Sequence, residues 1–347
     1  MQHRRREPAP GIFRLVLPFP VAGIHNVNAY LLVDDDGVTL VDCGTLLASE
    51  GGATEWGDLD KALEACDVSR ADIARLVITH AHIDHYGMAA RVVDDTGCEL
   101  WMHEGSSDEL EFYSDPQGAT TKVRAMLADH GVPADDIVEL TAYEDWSAFL
   151  SGVVEPTRRV TGGETLRAAD RTWTLVYTPG HSPSHVCLWA EQDGSLISGD
   201  HLLGAITPHI DFRRGGRADP LGEYLGSLSK IEELEPSLVL PGHGRPFEDG
   251  ATRARTIGRH HDRRLGAIQQ VIRRAPHTAS EITEEVFGTT LMHYQRRLAL
   301  GETLAHLAYL RRREEIEQVR HDDGTFAYIK TRRRHAAQEQ DSSGEPT

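Results

Sequence analysis

The residues best suited to chemistry form one short run, His80-Ala81-His82-Ile83-Asp84-His85, with three imidazoles and a carboxylate in six positions. Burying so many polar side chains is costly unless a positively charged partner binds them. Neutral imidazole nitrogens and carboxylate oxygens are the ligands that zinc, iron and manganese take in proteins. In an extended segment His80, His82 and Asp84 lie on one side while His85 turns away, so the run can serve two metal ions.

Three further candidate ligands each follow a strand-like segment and are each preceded by a glycine. They are His181, Asp200 and His243, and the segments before them are 172–177, 195–198 and 237–240. Glycine lets the backbone approach a neighbour closely, and functional residues are concentrated in loops that a rigid scaffold positions. One such loop is weak evidence, whereas four of them predict one common site.

Alternating strands and helices have to position these residues over the first 250 positions. Apolar and alternating runs predict strands at 12–17, 29–33, 38–41, 75–79, 99–102, 172–177, 185–189, 195–198 and 237–240. Helices are predicted at 58–66, 88–95, 120–130 and 221–234. The less regular segment 104–160 either caps a pocket or serves as plain scaffold.

The chain changes character after Gly250. Helices are predicted at 251–274, 280–287 and 298–313, followed by a hairpin with strands at 316–319 and 325–329. Three helices and a hairpin are typical of a winged helix. The segment from Thr331 is polar and rich in Gln, Glu and Ser, which predicts disorder. We therefore divide the chain into a catalytic domain at 12–250, a winged-helix-like domain at 251–330 and a tail at 331–347.

The distribution of charge divides the chain at the same place. The net charge of the 347 residues is −18, yet residues 1–250 carry −22 whereas residues 251–335 carry +7. Such asymmetry indicates two units with different surface tasks, or a basic unit that packs against an acidic one. The acidity of residues 1–250 also argues against a long polyanion lying over that part of the molecule.

The remaining composition indicates the expected compartment. No apolar run approaches the roughly 20 residues needed to span a bilayer, and the basic residues 1–6 are not followed by the apolar segment of a secretory signal. The four cysteines lie far apart without a CxxC pair, so neither a thiolate zinc site nor a redox pair is indicated. We expect a reduced cytoplasmic protein without a membrane partner.

Taken together, these motifs resemble those of the metallo-β-lactamase fold superfamily, and the resemblance covers roughly residues 12–250. It implies an α/β fold, namely a four-layered αβ/βα sandwich with the site at one edge of two packed sheets. In this chain the C-terminal winged-helix-like domain would follow that sandwich. The resemblance also implies two divalent metal ions, zinc in the first place, with iron or manganese as alternatives.

The resemblance assigns the seven candidate ligands to two metal positions and a bridge. His80, His82 and His181 would hold the first ion, Asp84, His85 and His243 would hold the second, and Asp200 would bridge them.

Further roles concern residues around the ligands. Asp84 is also the candidate proton acceptor in the reaction. Asp42, in the run Leu40-Val41-Asp42, matches the supporting aspartate of the superfamily, and we expect it to orient a ligand histidine. Three more histidines are candidates for contact with the substrate, namely His25, His201 and His209.

The ligand set indicates hydrolysis, because water shared by two divalent ions becomes hydroxide near neutral pH and attacks a carbonyl or phosphorus centre. The first hypothesis is cleavage of a small-molecule thioester or related acyl ester, since the run 181–185 is close to the glyoxalase II-like pattern. The glutathione-binding tail of hydroxyacylglutathione hydrolases is not recognisable. The alternatives are an endoribonuclease that binds RNA through 251–330, a lactonase, and a nucleic-acid-binding regulator.

No motif in the sequence identifies the substrate directly. Selectivity is therefore expected to reside in the segment 104–160, in the loop 201–217 and in the basic C-terminal part.

Overall fold

The computed structural model describes residues 7–21, 23–46, 56–142, 146–213 and 216–331. Its strands are β1 (Ile12–Val21), β2 (Ile24–Asp34), β3 (Gly37–Val41), β4 (Ile73–Val77), β5 (Glu99–His103), β6 (Arg158–Val160), β7 (Thr165–Ala168), β8 (Arg171–Tyr177), β9 (Val186–Ala190), β10 (Ser195–Gly199), β11 (Leu238–Pro241), β12 (Phe247–Glu248), β13 (His277–Thr278), β14 (Ile316–Arg320) and β15 (Phe326–Lys330). Its helices are α1 (Asp58–Glu64), α2 (Ile83–Tyr86), α3 (Ala89–Thr96), α4 (Ser106–Ser114), α5 (Pro116–Asp129), α6 (Ala134–Leu140), α7 (Pro220–Leu234), α8 (Gly250–Ile272), α9 (Ala279–Phe287) and α10 (His293–Arg312), and short 3₁₀ turns lie at Arg70–Asp72 and Ser147–Phe149.

The described strands pair into two sheets of six and one sheet of three. The first six-stranded sheet has the order β1-β2-β3-β4-β5-β6 and the second has the order β12-β11-β10-β9-β8-β7. In the first sheet β3, β4, β5 and β6 are parallel. In the second, β8 and β10 are both antiparallel to β9, and β11 is parallel to β10. The strands β8, β10 and β11 therefore end at one edge of their sheet, as the parallel strands of the first sheet do.

Helices cover the outer face of each sheet. Side chains such as Tyr30, Val77, Leu188 and Leu240 fill the space between the sheets. A second apolar layer joins the first sheet to α1 and α3, and a third joins the second sheet to α7 and α8. The order of layers is helix, sheet, sheet, helix, so the predicted αβ/βα sandwich is confirmed.

The segment 104–160 is more regular than the sequence predicts. It contains the helices α4, α5 and α6, whereas the apolar pattern predicts one helix at 120–130. The first turn of α5 begins earlier because the Asp115 carboxylate accepts a hydrogen bond from the Gly118 amide at 2.9 Å and Pro116 occupies the first position. The helix α4 has little apolar periodicity, since only Ser106 and Leu110 of it are buried, and this explains why the pattern does not reveal it.

The C-terminal part contains the three helices and the hairpin that the sequence predicts. The helix α9 begins at a capping box formed by Thr278 and Glu281, and α10 begins at His293 rather than at Leu298. The strands of the hairpin, β14 and β15, pair with each other, and β13 adds a third strand. The winged-helix interpretation and the boundary at residue 250 stay predictions. The tail predicted at 331–347 lies outside the described residues except for Thr331.

The basic C-terminal part packs against the acidic remainder of the chain. One apolar cluster joins α5 and α6 to α8, α9 and α10. In addition, Arg297 on α10 lies 3.4 Å from Asp211 in the loop after β10. The C-terminal part is thus in contact with two of the segments from which the sequence analysis expects selectivity.

The cysteines and the lengths of the helices bear on the expected compartment. Cys43, Cys66, Cys98 and Cys187 are all buried free thiols. Within the described ranges, every helix is too short or too polar to cross a bilayer.

Candidate metal centre

The first group of donors brings together three imidazoles from two sheets. His80 follows β4, His82 is the residue before α2, and His181 lies in the loop after β8. The Nε2 atom of His80 lies 3.0 Å from Nδ1 of His82 and 3.3 Å from Nε2 of His181. Ligands that surround zinc tetrahedrally at 2.0–2.1 Å are separated by roughly 3.3 Å. The spacing of the three nitrogens therefore suits one such ion.

The second group combines a carboxylate with two imidazoles. Asp84 and His85 lie on α2, and His243 follows β11. The Oδ2 atom of Asp84 is 3.1 Å from Nε2 of His243 and 3.7 Å from Nε2 of His85. The three ligand atoms all lie within 4.8 Å of one another, so a second ion can be held beside the first.

Asp200 lies between the two groups at the end of β10. Its Oδ1 atom is 3.4 Å from Nε2 of His85. Its Oδ2 atom is 3.3 Å from Nε2 of His243 and 3.7 Å from Nε2 of His181. The two carboxylate oxygens thus face donors of both groups, which is the position that a bridging ligand needs.

The other ring nitrogen of several histidines is fixed by a buried acceptor. The Nδ1–H of His85 donates to Asp42 at 2.7 Å, that of His181 to the carbonyl of His209 at 2.7 Å, and that of His243 to the carbonyl of Asn26 at 2.8 Å. A hydrogen bond at one ring nitrogen leaves the lone pair on the other and fixes the orientation of the ring. In all three histidines the nitrogen that remains is the Nε2 atom directed at the centre.

Asp42 supports His80 as well, through Thr79. The Thr79 amide and hydroxyl donate to the two oxygens of Asp42 at 2.8 Å and 2.9 Å. Because a hydroxyl has only one proton to donate, the Thr79 oxygen must accept the contact of 3.0 Å from Nδ1 of His80. The His80 proton is thereby placed on Nδ1 and its lone pair on Nε2. Asp42 itself adopts a left-handed conformation with φ of 60°, which few residues tolerate.

Burial and the neighbouring carboxylates shift the pKa values of the histidines at this site in opposite directions. Burial lowers the pKa of His80, His82 and His181, so these rings are neutral. Burial also lowers the pKa of His243, but the Asp200 and Asp84 carboxylates outweigh it and raise that pKa to about 10.

The carboxylates in turn stay negatively charged. Burial raises the pKa of Asp200, but the attraction of His243 and His85 outweighs it and holds the pKa well below its usual value. The pKa of His85 is raised because Asp84 and Asp42 outweigh the effect of its burial. Without a cation the site therefore retains protons, and divalent ions that displace them can bind in their place.

Two orphaned atoms also fit metal ions at the centre. Among the described residues, Nε2 of His85 and Oδ1 of Asp200 are buried without a hydrogen-bond partner, although such atoms are almost always satisfied in folded proteins. Gly242 provides the space around them, because a Cβ atom there would collide with the Asp200 carboxylate and with the His85 ring. Imidazole nitrogens and carboxylate oxygens are the donors that divalent zinc, iron and manganese accept.

The three histidines expected to contact substrate occupy different positions. His209 reaches the centre through its backbone carbonyl, and its Nε2 atom lies 3.9 Å from Asp211. His25 is exposed beside Asn26 at the start of β2. His201 is fully buried and packs against Tyr224, with ring centroids 5.1 Å apart. The buried position of His201 gives no support to a substrate contact there.

Some residues that shape the centre are missed by the sequence analysis. The backbone carbonyls of Asn26 and His209 accept hydrogen bonds from His243 and His181. Any side chain at these two positions would allow this, so the sequence gives no signal for them. Thr79 belongs to the apolar strand pattern and carries no separate signal. His185 accepts a hydrogen bond from the Asp200 amide at 3.2 Å through Nε2, while its Nδ1 contacts Thr178 at 2.9 Å. The His181-Ser182-Pro183-Ser184-His185 run could have indicated this residue.

A cavity of about 520 Å³ adjoins the first group of donors. His82 and His181 belong to its lining, and the rest comes mainly from α4, α5, the loop after β10 and the start of α7. Apolar side chains such as Phe112, Val123 and Met126 share this lining with charged ones. Parts of segments 104–160 and 201–217 thus form its walls, as the sequence analysis expects for the choice of substrate.

Removal of divalent ions is expected to destabilise the fold measurably. An ion present at about 1,000 times its dissociation constant stabilises the folded state by about 4 kcal/mol, and its loss leaves seven clustered polar ligands without their counter-charge. Differential scanning calorimetry of the full chain should show a melting temperature several degrees lower after chelation, and the addition of zinc should restore it. Identical melting curves before and after complete chelation would contradict metal binding at this centre.

Two family models match the chain. Residues 22–243 match the model of the metallo-beta-lactamase superfamily, and residues 265–331 match that of a metallo-beta-lactamase-like C-terminal domain. Over 332 residues the chain is 27% identical to the probable metallo-hydrolase YqjP of Bacillus subtilis, with 93% of this chain and 98% of that protein covered. Over 226 residues it is 26% identical to an atrochrysone carboxyl ACP thioesterase of Aspergillus fumigatus, with 65% and 53% covered. A beta-lactamase domain protein from Burkholderia ambifaria has a similar crystal structure, with a TM-score of 0.80, 30% identity and 94% of both chains covered.

Proposed function

The chain belongs to the metallo-β-lactamase superfamily, and from that membership we propose that it hydrolyses a thioester or a related acyl ester. The observation that carries this proposal is the cavity of about 520 Å³ beside His82 and His181. Cavities of roughly 300–1,000 Å³ are those in which proteins bind small molecules. An acyl substrate lying in this cavity would meet the metal ligands at these two histidines.

The seven candidate ligands have the donor types for a pair of divalent ions. When bound, such ions lower the pKa of water from about 15.7 to roughly 7 and polarise a carbonyl. We assign His80, His82 and His181 to one ion, Asp84, His85 and His243 to the other, and Asp200 to both. Zinc is the ion we propose, because histidine nitrogen and carboxylate oxygen are its usual ligands in catalytic sites.

We assign to Asp84 the task of accepting a proton during the reaction. Burial raises the pKa of this carboxyl group, but His85 and His243 outweigh the effect of burial and lower the pKa below its usual value. The carboxylate is therefore ionised and able to accept. Its Oδ2 atom lies 3.1 Å from Nε2 of His243, at the centre itself rather than in the surrounding protein.

The lining of the cavity suits an acyl group followed by a polar portion. Phe112, Val123 and Met126 supply apolar surface on which a chain of methylene groups can be buried. Arg213 and Arg217 supply positive charge in the same lining, although each is balanced by an acidic neighbour, since Arg213 lies 3.1 Å from Asp211 and Arg217 lies 2.9 Å from Glu223. The mixture favours an acyl compound with a polar leaving group.

The relatives give independent support to acyl chemistry. One of them, which is 26% identical to this chain, is named an atrochrysone carboxyl ACP thioesterase, and this name supports the proposal.

The C-terminal part contacts α5, α6 and the loop after β10. We propose that it shapes the cavity, whereas RNA binding through 251–330 stays a prediction.

Substitution of Ala119 tests whether the acyl group occupies the cavity. Ala119 is buried in its lining on α5, so Ala119→Trp should obstruct it. We expect kcat/KM of the zinc-loaded protein for long acyl thioesters to fall roughly tenfold or more, and that for short ones to fall less, because a lost hydrophobic contact costs about 10–200-fold. Activity is measured on acyl thioesters of graded chain length, on lactones and on RNA.

The matched control is Ala125→Trp, since Ala125 is exposed on the same helix and should leave every kcat/KM unchanged. Zinc-loaded protein that hydrolyses no acyl substrate, or that cleaves only RNA, would refute the proposed function. An equal effect of Ala119→Trp on all chain lengths would show that the acyl group lies elsewhere.

A further inference from the structure

A second cluster of metal-ligand side chains lies outside the centre described above. It consists of His261 on α8 and of Glu302 and His306 on α10. The three ligand atoms, one from each side chain, all lie within 4.8 Å of one another. None of the three residues belongs to the seven candidate ligands of the metal centre or to the lining of the cavity.

The spacing on α10 brings two of these side chains to the same face. Glu302 and His306 are four residues apart, which places them on neighbouring turns of one helix. The His306 Nδ1–H donates to the backbone carbonyl of Glu302 at 2.7 Å. The lone pair of the neutral His306 ring is therefore on Nε2, and this atom lies 3.2 Å from Nδ1 of His261. A separation of roughly 3.3 Å is that of two nitrogens bound tetrahedrally to one zinc ion.

Hydrogen bonding within the described residues leaves the carboxylate of the cluster unsatisfied. The Oε1 atom of Glu302 is buried and lacks a hydrogen bond. The His261 and His306 side chains are both 0% exposed, so water does not reach them freely. Leaving a buried polar atom without a partner is energetically unfavourable.

One neighbouring cation competes for the carboxylate. The Nε atom of Arg264 lies 3.7 Å from Oε1 of Glu302, which is an ion-pair distance but too long for a hydrogen bond. The Arg264 guanidinium is stacked on the Phe287 ring, at 3.7 Å from its centroid. The Arg264 Nε atom therefore leaves the lone pairs of Oε1 available, and the carboxylate can serve a metal ion while Arg264 stays in place.

We propose that His261, Glu302 and His306 bind one ion of the zinc type at a site separate from the two-ion centre. Two imidazoles and one carboxylate are donors that zinc takes, and a water molecule can complete the tetrahedron. The ligands come from two helices, and His261 and His306 are separated by 45 positions along the chain. The ion would connect α8 to α10 and so stabilise the packing of these two helices within the C-terminal part.

The test is the zinc content of the full-length protein at saturation, measured by atomic spectroscopy after removal of unbound metal. The wild-type chain should retain three zinc ions, and Glu302→Gln, which preserves the size of the side chain, should retain two. Glu302→Gln should also keep the hydrolytic activity, because Glu302 lies outside the centre and the cavity. Glu317→Gln is the matched control on the exposed surface and should retain three ions.

A wild-type content of two ions would overturn the proposal without reference to any variant. A content of three that Glu302→Gln leaves unchanged would overturn it equally, since the third ion would then be bound elsewhere. As an independent measurement, Asp200→Asn protein with a weakened centre should still bind one zinc ion tightly, and combination with Glu302→Gln should abolish that binding. Retention of the tight ion by the double variant would count against the site.

Discussion

Asp200→Asn is expected to reduce kcat/KM for the acyl substrate by about 10³-fold or more, out of the 10⁶-fold or greater acceleration that enzymes typically provide. The Asp200 oxygens face both groups of donors, at 3.4 Å from Nε2 of His85 and 3.7 Å from Nε2 of His181. Asparagine has nearly the same shape, but it lacks the negative charge and replaces one acceptor oxygen with an NH₂ group. Ions held by the two groups would then lose the negative charge of the carboxylate that we assign to both of them.

The kinetic measurement has to be accompanied by the metal content of the same preparation. We expect Asp200→Asn to retain fewer ions than the wild type at equal free zinc. Asp193→Asn is the matched control, because Asp193 precedes β10 at the opposite edge of the sheet, where it pairs with Arg171. This control should have wild-type kinetics and metal content. Wild-type kcat/KM in Asp200→Asn would remove Asp200 from the site.

The candidate ligands could be predicted from the sequence because each follows a short local pattern. An apolar run of strand length precedes His80, His181, Asp200 and His243, and three of these residues also follow a glycine. The position of one residue at the end of one strand is local information. The ends of β8, β10 and β11 meet because these strands run in a common direction within one sheet. The end of β4, which precedes His80, belongs to the other sheet, and only the packing of the two sheets brings it to them.

The surroundings of the ligands could be predicted only in part. A family motif predicts Asp42, but the carbonyls of Asn26 and His209 carry no side-chain signal. The apolar pattern does not predict the helix α4, because α4 buries only Ser106 and Leu110 and its apolar periodicity is therefore weak. The walls of the cavity depend on how α4 and α5 lie over the sheets. Leu110 of α4 packs in the apolar cluster of the first sheet, whereas α5 packs against the C-terminal part, and both contacts are tertiary.

The cluster on α8 and α10 shows the same limit to prediction from the sequence. The spacing of Glu302 and His306 is visible in the sequence, but a pair four residues apart on a helix is common. The third member, His261, is 45 positions from His306 in the sequence, and only tertiary packing brings it close to Glu302 and His306. Sequence patterns alone therefore do not predict clusters of side chains that are distant in the sequence and lack a strand-end motif.

Asp42→Asn is expected to weaken metal binding or kcat/KM by about 10–100-fold, the usual effect of removing a residue that orients a metal ligand. Asp42 accepts the Nδ1–H of His85 at 2.7 Å and both donors of Thr79. An asparagine can keep an oxygen toward the Thr79 amide, but its NH₂ group then faces the His85 Nδ1–H. To avoid two opposed donors, the His85 proton moves to Nε2, where it removes the lone pair directed at the centre.

Asparagine is the informative replacement because it tolerates the left-handed conformation that Asp42 adopts, with φ of 60°. The backbone is then unchanged and only the hydrogen bonding differs, whereas alanine would add strain. Asp67→Asn serves as the matched control, since Asp67 has φ of 59° and is exposed. Zinc titration should show a higher dissociation constant for Asp42→Asn at unchanged overall fold. A loss of folding stability with unchanged zinc affinity would assign Asp42 a structural role only and refute its role in orienting His85.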